Sequence, residues 1–277
     1  MKISLIVSTY NRADITRAFL RNIVMNHQRE LYEIVFTDDG SEEDIITAIN
    51  NFKTQLTIPC RIVIQRHKGY RLARVRNNGV RHSSGDYLCF LDQDLIPSKD
   101  YFLYIKRYAR PNRFLITRPI YTDSEQKAMI VEGAGDDYLS DIHKSHRERL
   151  RKLALKDLFY HIGKHLGIGD RRPKLQGGAF SLFKNKFELV NGFDENFSGW
   201  GLEDDDLGRR LYLVKVFGFN ISHRAWTYHL WHQPEPTKLT RPNVDYYRAR
   251  DYSKGDFKTP LGLDNSSDEK VTVVEVN

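Results

Sequence analysis

Two carboxylates, Asp92 and Asp94, follow the apolar run Tyr87–Leu91 with a single residue between them. An unbroken apolar run of this length predicts a strand buried on both faces, as in a parallel sheet covered by helices. Side chains two positions apart in an extended segment point the same way, so both carboxylates should face one site beyond the strand's carboxyl end. Two hard oxygen donors there suit Mg²⁺ or Mn²⁺ together with a substrate phosphate, although an ordinary acidic turn gives the same pattern.

A second acidic cluster runs from Glu203 to Asp206, after a Gly-Trp-Gly loop around Trp200 and before an apolar helical pattern. The amino end of a helix favours carboxylates through its dipole and free N–H groups, which accounts for one or two of these four acids. Further along, His229 and His232 are spaced so that both could face one site, and a neutral imidazole can bind Mn²⁺. Ordinary surface histidines would show the same spacing.

The elements that must position these residues alternate between strands and helices. Strand patterns at Ile3–Val7, Glu33–Thr37 and Arg61–Gln65 precede the acidic strand, and helical patterns separate them. This alternation predicts βαβ units and an α/β fold with a Rossmann-like, mostly parallel sheet flanked by helices. No Gly-x-Gly-x-x-Gly turn follows the first strand, which argues against a dinucleotide cofactor.

The patterns in the second half of the chain are less regular. A short strand is predicted at Phe114–Thr117, another leads from a diglycine to Phe183, and a third begins at Ile221. The C-terminal residues form a polar tail with a lone strand candidate at Val271–Val276. The later carboxylates and histidines are therefore expected to come from shorter elements than the first acidic pair.

The positive charge of the chain is concentrated in one segment. The net charge is +7, and residues 143–174 hold ten Lys or Arg against three acids, which equals the whole excess. The same segment carries apolar residues near helical spacing, so it is either a helix packed on the body or a surface for anionic lipid or an anionic acceptor. These apolar residues are Leu150, Leu153, Ala154, Leu158, Ile162 and Leu166.

Cysteine usage and hydropathy indicate the compartment. Cys60 and Cys89 lie in or near predicted strands, so we expect two reduced core residues rather than a disulfide framework. No apolar run approaches the ~18 residues of a membrane span, and the first residues are too short and polar for a signal peptide. We expect a cytoplasmic protein that could also lie at the inner membrane face through residues 143–174.

Four motifs stand in a fixed order along the chain. They are Val-Ser-Thr-Tyr-Asn-Arg ending at Arg12, Asp-Asp-Gly-Ser beginning at Asp38, Asp-Gln-Asp ending at Asp94, and Gly-Trp-Gly-x-Glu-Asp-Asp-Asp ending at Asp206. The set resembles the family 2 glycosyltransferases of the GT-A fold. The last motif is similar to the galactosyltransferase-like C-terminal region of β-1,4-galactosyltransferases and of the chondroitin-polymerase type, and the resemblance covers residues 2–235.

The resemblance implies a domain division and a role for each matching residue. We predict a donor-binding half over 1–122, an acceptor-binding and catalytic half over 123–260 with a basic helical insertion at 143–174, and a tail over 261–277. The residues implied to bind the donor nucleotide are Thr9, Asn11, Arg12, Asp38, Asp39, Arg76, Asn77 and Asp92. Those implied to hold Mn²⁺ or Mg²⁺ are Asp94, Asp92, His232 and His229. Asp204 corresponds to the general base with Glu203 beside it, and those implied to contact the acceptor are Trp200, Gly178, Glu203 and Asp205.

One position departs from the pattern, because Leu202 stands where the relatives often have a second glycine. The donor sugar and the acceptor therefore stay open. With that reservation, the resemblance implies an inverting, metal-dependent enzyme with no nucleic-acid partner. It would move a hexose or N-acetylhexosamine from a UDP-sugar to a glycan or lipid-linked glycan in surface polysaccharide synthesis.

Three alternatives fit parts of the sequence. A sugar-phosphate nucleotidyltransferase would need a glycine-rich phosphate loop near the N-terminus, and Ser8–Arg12 contains no glycine. A glycoside hydrolase would use two carboxylates without a nucleotide pocket. A basic, non-catalytic nucleic-acid-binding module fits the charge of residues 143–174, but the sequence carries no recognisable binding motif of that class.

Overall fold

The computed structural model describes residues 1–168, 171–233, 238–252, 255–265 and 269–277. The strands in these ranges are β1 (Ile3–Thr9), β2 (Glu33–Asp38), β3 (Cys60–Ile64), β4 (Tyr87–Asp92), β5 (Leu95–Pro97), β6 (Arg113–Ile116), β7 (Pro119–Tyr121), β8 (Ala179–Phe183), β9 (Phe217–Asn220), β10 (Thr227–His229) and β11 (Thr272–Glu275). The helices are α1 (Ala13–Asn26), α2 (Ile45–Asn50), α3 (Leu72–Arg81), α4 (Tyr101–Tyr108), α5 (Ser124–Glu132), α6 (Asp136–His165), α7 (Lys184–Leu189), α8 (Glu203–Leu213) and α9 (Val244–Ala249), with a 3₁₀ turn at Gln28–Glu30.

In the described part of the chain, eight strands form one mixed sheet in the order β11-β3-β2-β1-β4-β8-β6-β9. The run β3-β2-β1-β4 is parallel, and Leu5 of β1 lies between Ile34 of β2 and Cys89 of β4. Every residue of β1 and β2 is buried, which explains their unbroken apolar character. The predicted α/β fold with a mostly parallel sheet is confirmed.

Helices cover both faces of this sheet. Because alternate residues of a strand point to opposite faces, Leu5 packs in one core cluster with Phe19 of α1, and Ile6 packs in the other with Leu207 of α8. Burying a side chain of this size stabilises the fold by about 1.5–3 kcal/mol. The strand ends therefore project from a core that is packed on two sides.

The second half of the sheet is antiparallel around β8, which pairs with both β4 and β6. A second, three-stranded sheet has the order β5-β10-β7. Its edge strand β5 begins three residues after the end of β4 in the main sheet. The strand predicted from Ile221 is displaced: β9 ends at Asn220 and β10 begins at Thr227. The Asn220 side chain accepts a hydrogen bond from the Ser222 backbone N–H at 2.8 Å, and this local turn ends the strand.

The C-terminal strand is part of the main sheet. β11 pairs antiparallel with β3, and Val273 lies opposite Val63. Val276, just beyond it, is 1% exposed. The strand expected within the tail is confirmed, but it is not a lone one. Since strands from all three predicted segments share one sheet, the division at residues 122 and 260 stays a prediction about roles.

The basic segment lies mostly in the long helix α6, and its residues 169 and 170 are outside the described ranges. One face of α6 packs against the body through Leu150 and Ala154, whereas Leu158, Ile162 and Leu166 are exposed. The apolar residues near helical spacing therefore do not form a single packed face. None of the helices in the described ranges contains an apolar stretch that could span a bilayer.

Candidate active site

The first acidic pair stands where β4 ends. The strand stops at Asp92, and Gln93 and Asp94 form a turn that leads into β5, so only the first carboxylate belongs to the strand itself. The Gln93 amide donates hydrogen bonds to the backbone oxygens of Tyr10 and Asn11, each at 3.1 Å. The middle residue of Asp-Gln-Asp thus ties the end of β4 to the loop after β1.

That loop has a restrained backbone. Asn11 and Arg12 have positive φ angles of 52° and 60°. Non-glycine residues persist in this left-handed region only where their surroundings fix them. Here the Asn11 side chain accepts hydrogen bonds from the backbone N–H groups of Glu42 and Glu43, at 2.9 and 3.1 Å. In this loop conformation, Arg12 Nη1 lies 3.3 Å from Asp94 Oδ2.

Arg76 of α3 joins the two acidic motifs. It is 1% exposed, and its guanidinium donates from Nη2 to Asp92 Oδ1 at 2.9 Å and from Nη1 to Glu203 Oε1 at 3.4 Å. Burial alone would lower the pKa of Arg76, but the neighbouring charges of Asp92 and Glu203 raise it. A buried, fully charged arginine thus holds the end of β4 against the start of α8.

The diglycine, Gly177–Gly178, allows the end of β4 and the start of α8 to lie close together. A Cβ on Gly178 would lie 3.0 Å from Asp92 Oδ2, and one on Gly177 would lie 3.1 Å from both Asp204 Cβ and Arg76 Nη1. The Gly177 backbone N–H also donates to Asp204 Oδ2 at 3.1 Å. Residues without side chains therefore pass between the two acidic motifs. Gly178 lies beside Asp92, and its predicted contact with an acceptor stays a prediction.

Three side chains form a group that could hold a cation. One ligand atom each from Asp94, His229 and His232 lies within 4.8 Å of the others, and His232 Nε2 is 2.8 Å from Asp94 Oδ2. Burial by itself would raise the pKa of Asp94, but His232, His229 and Arg12 lower it below its usual value. The hydrogen bond to Asp94 in turn raises the pKa of His232. One ionised carboxylate and two imidazoles are a suitable donor set for a divalent transition metal.

The small sheet explains how these histidines reach Asp94. His229 ends β10, which pairs with β5 directly after the acidic turn, and the Leu230 backbone N–H donates to the Asp94 backbone oxygen at 2.8 Å. Both His229 and His232 are thus in the group. The sequence had left open which of the two would hold the metal. Asp92 lies outside this group, and its Oδ1 accepts a hydrogen bond from Arg76. Its predicted contact with the metal stays a prediction.

The first two acids of the second cluster face the same region. Asp204 accepts hydrogen bonds from the backbone N–H groups of Gly177 and Asp205, at 3.1 and 2.8 Å, and burial raises its pKa. Glu203 is 7% exposed, and burial and the charge of Asp204 raise its pKa to about 7. No hydrogen-bond partner for Glu203 Oε2 occurs among the described residues. A carboxyl group near neutral pKa is well suited to accept or donate a proton.

The other two acids are held by positive side chains. Asp205 contacts Arg172, Lys174 and Arg209 at 3.5, 3.7 and 3.2 Å. Asp206 is fully buried and pairs with Arg210 at 2.7 Å. Structural ion pairs therefore explain the presence of two of the four acids, Asp205 and Asp206. The predicted acceptor contact of Asp205 stays a prediction, and the structure gives this residue a set of cation partners.

The predicted donor-binding residues at the ends of β1 and β2 form a buried polar network. Thr9 Oγ1 donates to Asp38 Oδ2 at 2.9 Å, and the Ser41 backbone N–H donates to Asp38 Oδ1 at 2.7 Å. Burial raises the pKa of Asp39, and a hydrogen bond from Gln65 at 2.5 Å offsets part of that effect. Together with the loop after β1, these residues stand at the carboxyl edge of the parallel strands, where α/β sheets bind ligands.

Asn77 has a structural role, and its predicted nucleotide contact stays a prediction. Its side chain is fully buried, and its amide donates to the Phe193 backbone oxygen and accepts from the Phe193 N–H, both at 2.9 Å. The amide also donates to Glu195 at 2.9 Å. These bonds join α3 to the loop before α8 and leave no exposed Asn77 atom for a ligand.

The Gly-Trp-Gly loop presents Trp200 at the protein surface, with 38% of the residue exposed. Gly199, Gly201 and Leu202 all have positive φ angles, of 81°, 96° and 75°. The Asn243 side chain fixes this turn, since it donates to the backbone oxygens of Gly199 and Gly201 at 3.2 and 2.9 Å. Leu202 thus adopts a conformation that favours glycine.

Sequence reasoning missed two kinds of residue at this site. His67 stacks on Tyr10 with 4.6 Å between ring centroids, and its Nδ1 lies 3.0 Å from the Asp39 backbone oxygen. Both rings follow predicted strands, so the rule that ligands bind beyond strand ends could have found them. Gln93 and Asn243 act by holding backbone turns, and no sequence signal marks that role.

The chain matches two known family profiles. Residues 4–165 match glycosyl transferase family 2. Residues 158–233 match a galactosyltransferase profile, described as the N-terminal domain of galactosyltransferase. This region contains the diglycine, the second acidic cluster and both histidines of the candidate metal group.

Two bacterial polysaccharide synthases are among the similar proteins. The chain is 26% identical over 241 residues to the chondroitin synthase of Escherichia coli, with 82% of this chain and 34% of that protein covered. It is 26% identical over 241 residues to the hyaluronan synthase of Pasteurella multocida, with 82% and 24% covered. The chain thus spans about a third or less of the length of these relatives.

Solved structures of GT-A type have the same fold. TarS of S. aureus in complex with UDP-GlcNAc has a TM-score of 0.57 at 14% identity, over 86% of this chain and 61% of that one. A mutant of Drosophila β1,4-galactosyltransferase 7 with manganese, UDP-Gal and xylobiose has a TM-score of 0.52 at 17% identity, over 95% and 83%. The family 2 match alone extends over more than half of the chain, and the chain therefore belongs to glycosyl transferase family 2.

Proposed function

We propose that this chain carries an inverting, metal-dependent transferase activity that moves a hexose or N-acetylhexosamine from a UDP-sugar to a glycan acceptor. The observation that carries the proposal is the buried bridge from Asp92 through Arg76 to Glu203. It keeps the candidate cation group beside one end and the candidate base, Asp204, beside the other. Sugar transfer needs both, since a charged leaving group departs as a hydroxyl loses its proton.

We assign the cation to Asp94, His229 and His232, whose ligand atoms already lie within 4.8 Å of one another. Two nitrogen donors beside one carboxylate favour Mn²⁺ over Mg²⁺, which prefers oxygen ligands. When bound, the cation would neutralise charge on the diphosphate leaving group. In its absence, Arg12 and His232 balance the charge of Asp94.

We assign the general base to Asp204. It would take the proton of an acceptor hydroxyl while the hydroxyl oxygen bonds to the anomeric carbon and the bond to the UDP β-phosphate oxygen breaks. Attack from the face opposite the leaving group inverts the anomeric centre. The backbone N–H groups of Gly177 and Asp205 hold the Asp204 carboxylate, so its orientation is fixed before substrate binds.

Chemistry at the ends of β1 and β2 supports a nucleotide donor. We assign Asp39 to accept a hydrogen bond from the uracil ring, and Arg12 and Asn11 border the same edge of the sheet. TarS in complex with UDP-GlcNAc and the galactosyltransferase in complex with UDP-Gal share this fold, which is consistent with a UDP-sugar. The donor sugar is left as the class hexose or N-acetylhexosamine.

For the acceptor, we propose a glycan or lipid-linked glycan in the synthesis of a surface polysaccharide, on the cytoplasmic side of the membrane. The similarity to a chondroitin synthase and a hyaluronan synthase supports a polysaccharide product. Trp200 is 38% exposed with Lys238 over its ring, and we assign it with Glu203, Gly178 and Asp205 to contact the acceptor sugar. The acceptor would reach Asp204 from this side of the cleft.

A thermal-shift panel of nucleotide sugars with and without Mn²⁺ tests the proposal. We expect the correct UDP-sugar to raise Tm by about 5 °C or more at a hundredfold excess over Kd, and only when Mn²⁺ is present. Asp94→Asn should abolish this shift because it removes the carboxylate ligand. Asp100→Asn is the matched control, since that exposed carboxylate makes no side-chain cap bond and lies outside the site.

The same panel separates the alternatives. A lack of stabilisation by any UDP-sugar with Mn²⁺ would exclude the transferase assignment. Release of free sugar from a glycan without nucleotide would indicate a hydrolase. Pyrophosphate release from a nucleoside triphosphate and a sugar phosphate would indicate a nucleotidyltransferase.

A further inference from the structure

The C-terminal half of α6 exposes an unusual amount of apolar surface. Its exposed apolar side chains and that of the C-cap residue, here called the α6 strip, are Leu155, Leu158, Phe159, Ile162 and Leu166. Phe159 is 72% exposed and Leu166 is 67% exposed, and Ile168 just beyond the helix is 67% exposed. The spacing of three or four residues places all five on one side of the helix. Contiguous apolar surface of this kind marks an interaction site.

The α6 strip is not the side of the helix that packs against the body of the protein. The opposite side of α6 is fixed to the body, where Asp157 accepts from Asn220 at 2.7 Å and from Arg118 at 3.1 Å. On the same side, His161 Nδ1 lies 2.9 Å from the Gly218 backbone oxygen. Polar bonds therefore anchor the buried side, and the large apolar side chains point away from it.

Positive charge surrounds the strip. Residues 147–164 hold six basic and two acidic side chains, a net charge of +4. Of the two acids, Asp157 is buried in its ion pair with Arg118, and Glu148 pairs with Lys152 at 2.7 Å. The basic residues of this stretch are Arg147, Arg149, Arg151, Lys152, Lys156 and Lys164.

We propose that the α6 strip lies in the headgroup region of an anionic lipid bilayer, with the surrounding Lys and Arg side chains on lipid phosphates. An apolar stripe with basic flanks is the composition that binds such an interface. Two copies of this chain packed strip to strip would bring two charges of +4 together, so charge disfavours a second copy as the occupant. The inference rests on α6 alone and holds whether or not the chain transfers sugar.

In the chain, residues 171–178 lie between the α6 strip and the second acidic cluster. Arg172 lies 3.5 Å from Asp205, the Pro173 backbone oxygen accepts from Tyr212 at 3.0 Å, and the diglycine follows. Two contacts, at Arg172 and Pro173, therefore hold the described part of the chain between α6 and the diglycine against α8. Membrane binding would keep the cleft at the surface where a lipid-linked acceptor resides.

Vesicle co-sedimentation of the whole chain tests the proposal. We expect binding to vesicles of phosphatidylcholine mixed with phosphatidylglycerol, and little binding to phosphatidylcholine alone. Phe159→Ser/Leu166→Ser should weaken binding at least tenfold because two inserted side chains are lost. Arg151→Ser/Lys156→Ser should weaken it by about thirtyfold at low salt and less at high salt.

Met25→Ser/Leu103→Ser is the matched control, because it removes two apolar side chains that are 71% and 51% exposed on other helices. It should bind vesicles as the wild type does. Equal binding by the wild type and the strip variant would overturn the proposal. So would a dimer, measured by light scattering, that the strip variant dissociates. The UDP-sugar thermal shift should be unchanged in the strip variant, so failure here is separable from failure of the sugar-transfer proposal.

Discussion

Four consecutive carboxylates at the start of α8 have different environments despite their identical charge. Glu203 and Asp204 face the diglycine and Arg76, and burial raises the pKa of both. Asp205 and Asp206 instead meet arginines. Burial alone would raise the pKa of Asp205, but a hydrogen bond from Tyr247 and the neighbouring cations lower it below its usual value. Because the surroundings shift the pKa values in opposite directions, Glu203 and Asp204 are suited to proton transfer, whereas Asp205 is suited to a structural ion pair.

Asp204→Asn should stop sugar transfer and leave donor binding intact, because the amide keeps the shape and cannot accept a proton. We expect kcat to fall by about 10² or more. The measurement is transfer from the UDP-sugar identified by thermal shift, with its Kd determined in parallel. Asp205→Asn should retain kcat within a few-fold and change at most the acceptor KM. Normal turnover by the Asp204 variant would refute the base assignment.

Arg76→Met should destabilise the protein and abolish transfer, because it leaves Asp92 and Glu203 without their shared cation. Removing one partner from a buried charge pair costs about 3–5 kcal/mol. Urea unfolding would measure this loss. Lys144→Met is a suitable comparison, since its side chain is 73% exposed and lies 2.6 Å from the exposed Asp141. A difference below about 1 kcal/mol between the two variants would contradict the bridging role.

At the scale of elements, the site forms where strands end and helices begin. The turn at Asn11 and Arg12 leads directly into α1, and the cation group forms between β4 and β10. Helix α1 therefore links the site to the protein interior. Its far end is His27, which is 2% exposed and packs edge-on to Phe102 of α4 with 5.1 Å between ring centroids.

Burial lowers the pKa of His27 from 6.5 to about 4. The folded state thus binds the proton more weakly than the unfolded chain, so stability is retained above pH 6.5 and is lost as pH falls from 6.5 towards 4. We expect the wild type to lose up to about 2 kcal/mol from this group by pH 5. Urea midpoints at several pH values should show a shallower acid loss for His27→Gln. An identical acid slope in the two proteins would show that His27 is not responsible.

At the scale of the molecule, one mixed sheet joins the chain's two ends. β11 covers the outer edge of β3, and the Asn277 side chain accepts from the Cys60 backbone N–H at 2.9 Å. Val276 is buried beside it. A segment that looked like a tail therefore covers an edge strand of the half that is predicted to bind the donor, and uncovered edges are prone to pair with other chains.

Removing residues 271–277 should lower the free energy of unfolding by about 3 kcal/mol or more, since buried Val276 and the β3–β11 hydrogen bonds are lost. The truncated chain should also aggregate more readily, as measured by light scattering during refolding. Val273→Ser, at a position that is 41% exposed, should do neither. An unchanged urea midpoint after truncation would show that β11 does not stabilise the sheet.

The amino-acid sequence by itself determined the parallel strands, the position of the acidic pair at the end of β4, and the order of the four motifs. These features depend on local periodicity and spacing, which a linear chain displays directly. The spacing of His229 and His232 also indicated that both could face one site.

Only the tertiary structure decided which charges meet. Arg76 reaches Asp92 and Glu203 from a helix remote in sequence from α8, Asn77 turns into the core, and the four acids of α8 divide between the cleft and arginine partners. The exposure of the α6 strip was decided in the same way. Long-range packing selects these partners, and neither residue type nor spacing states which distant segment a side chain will face.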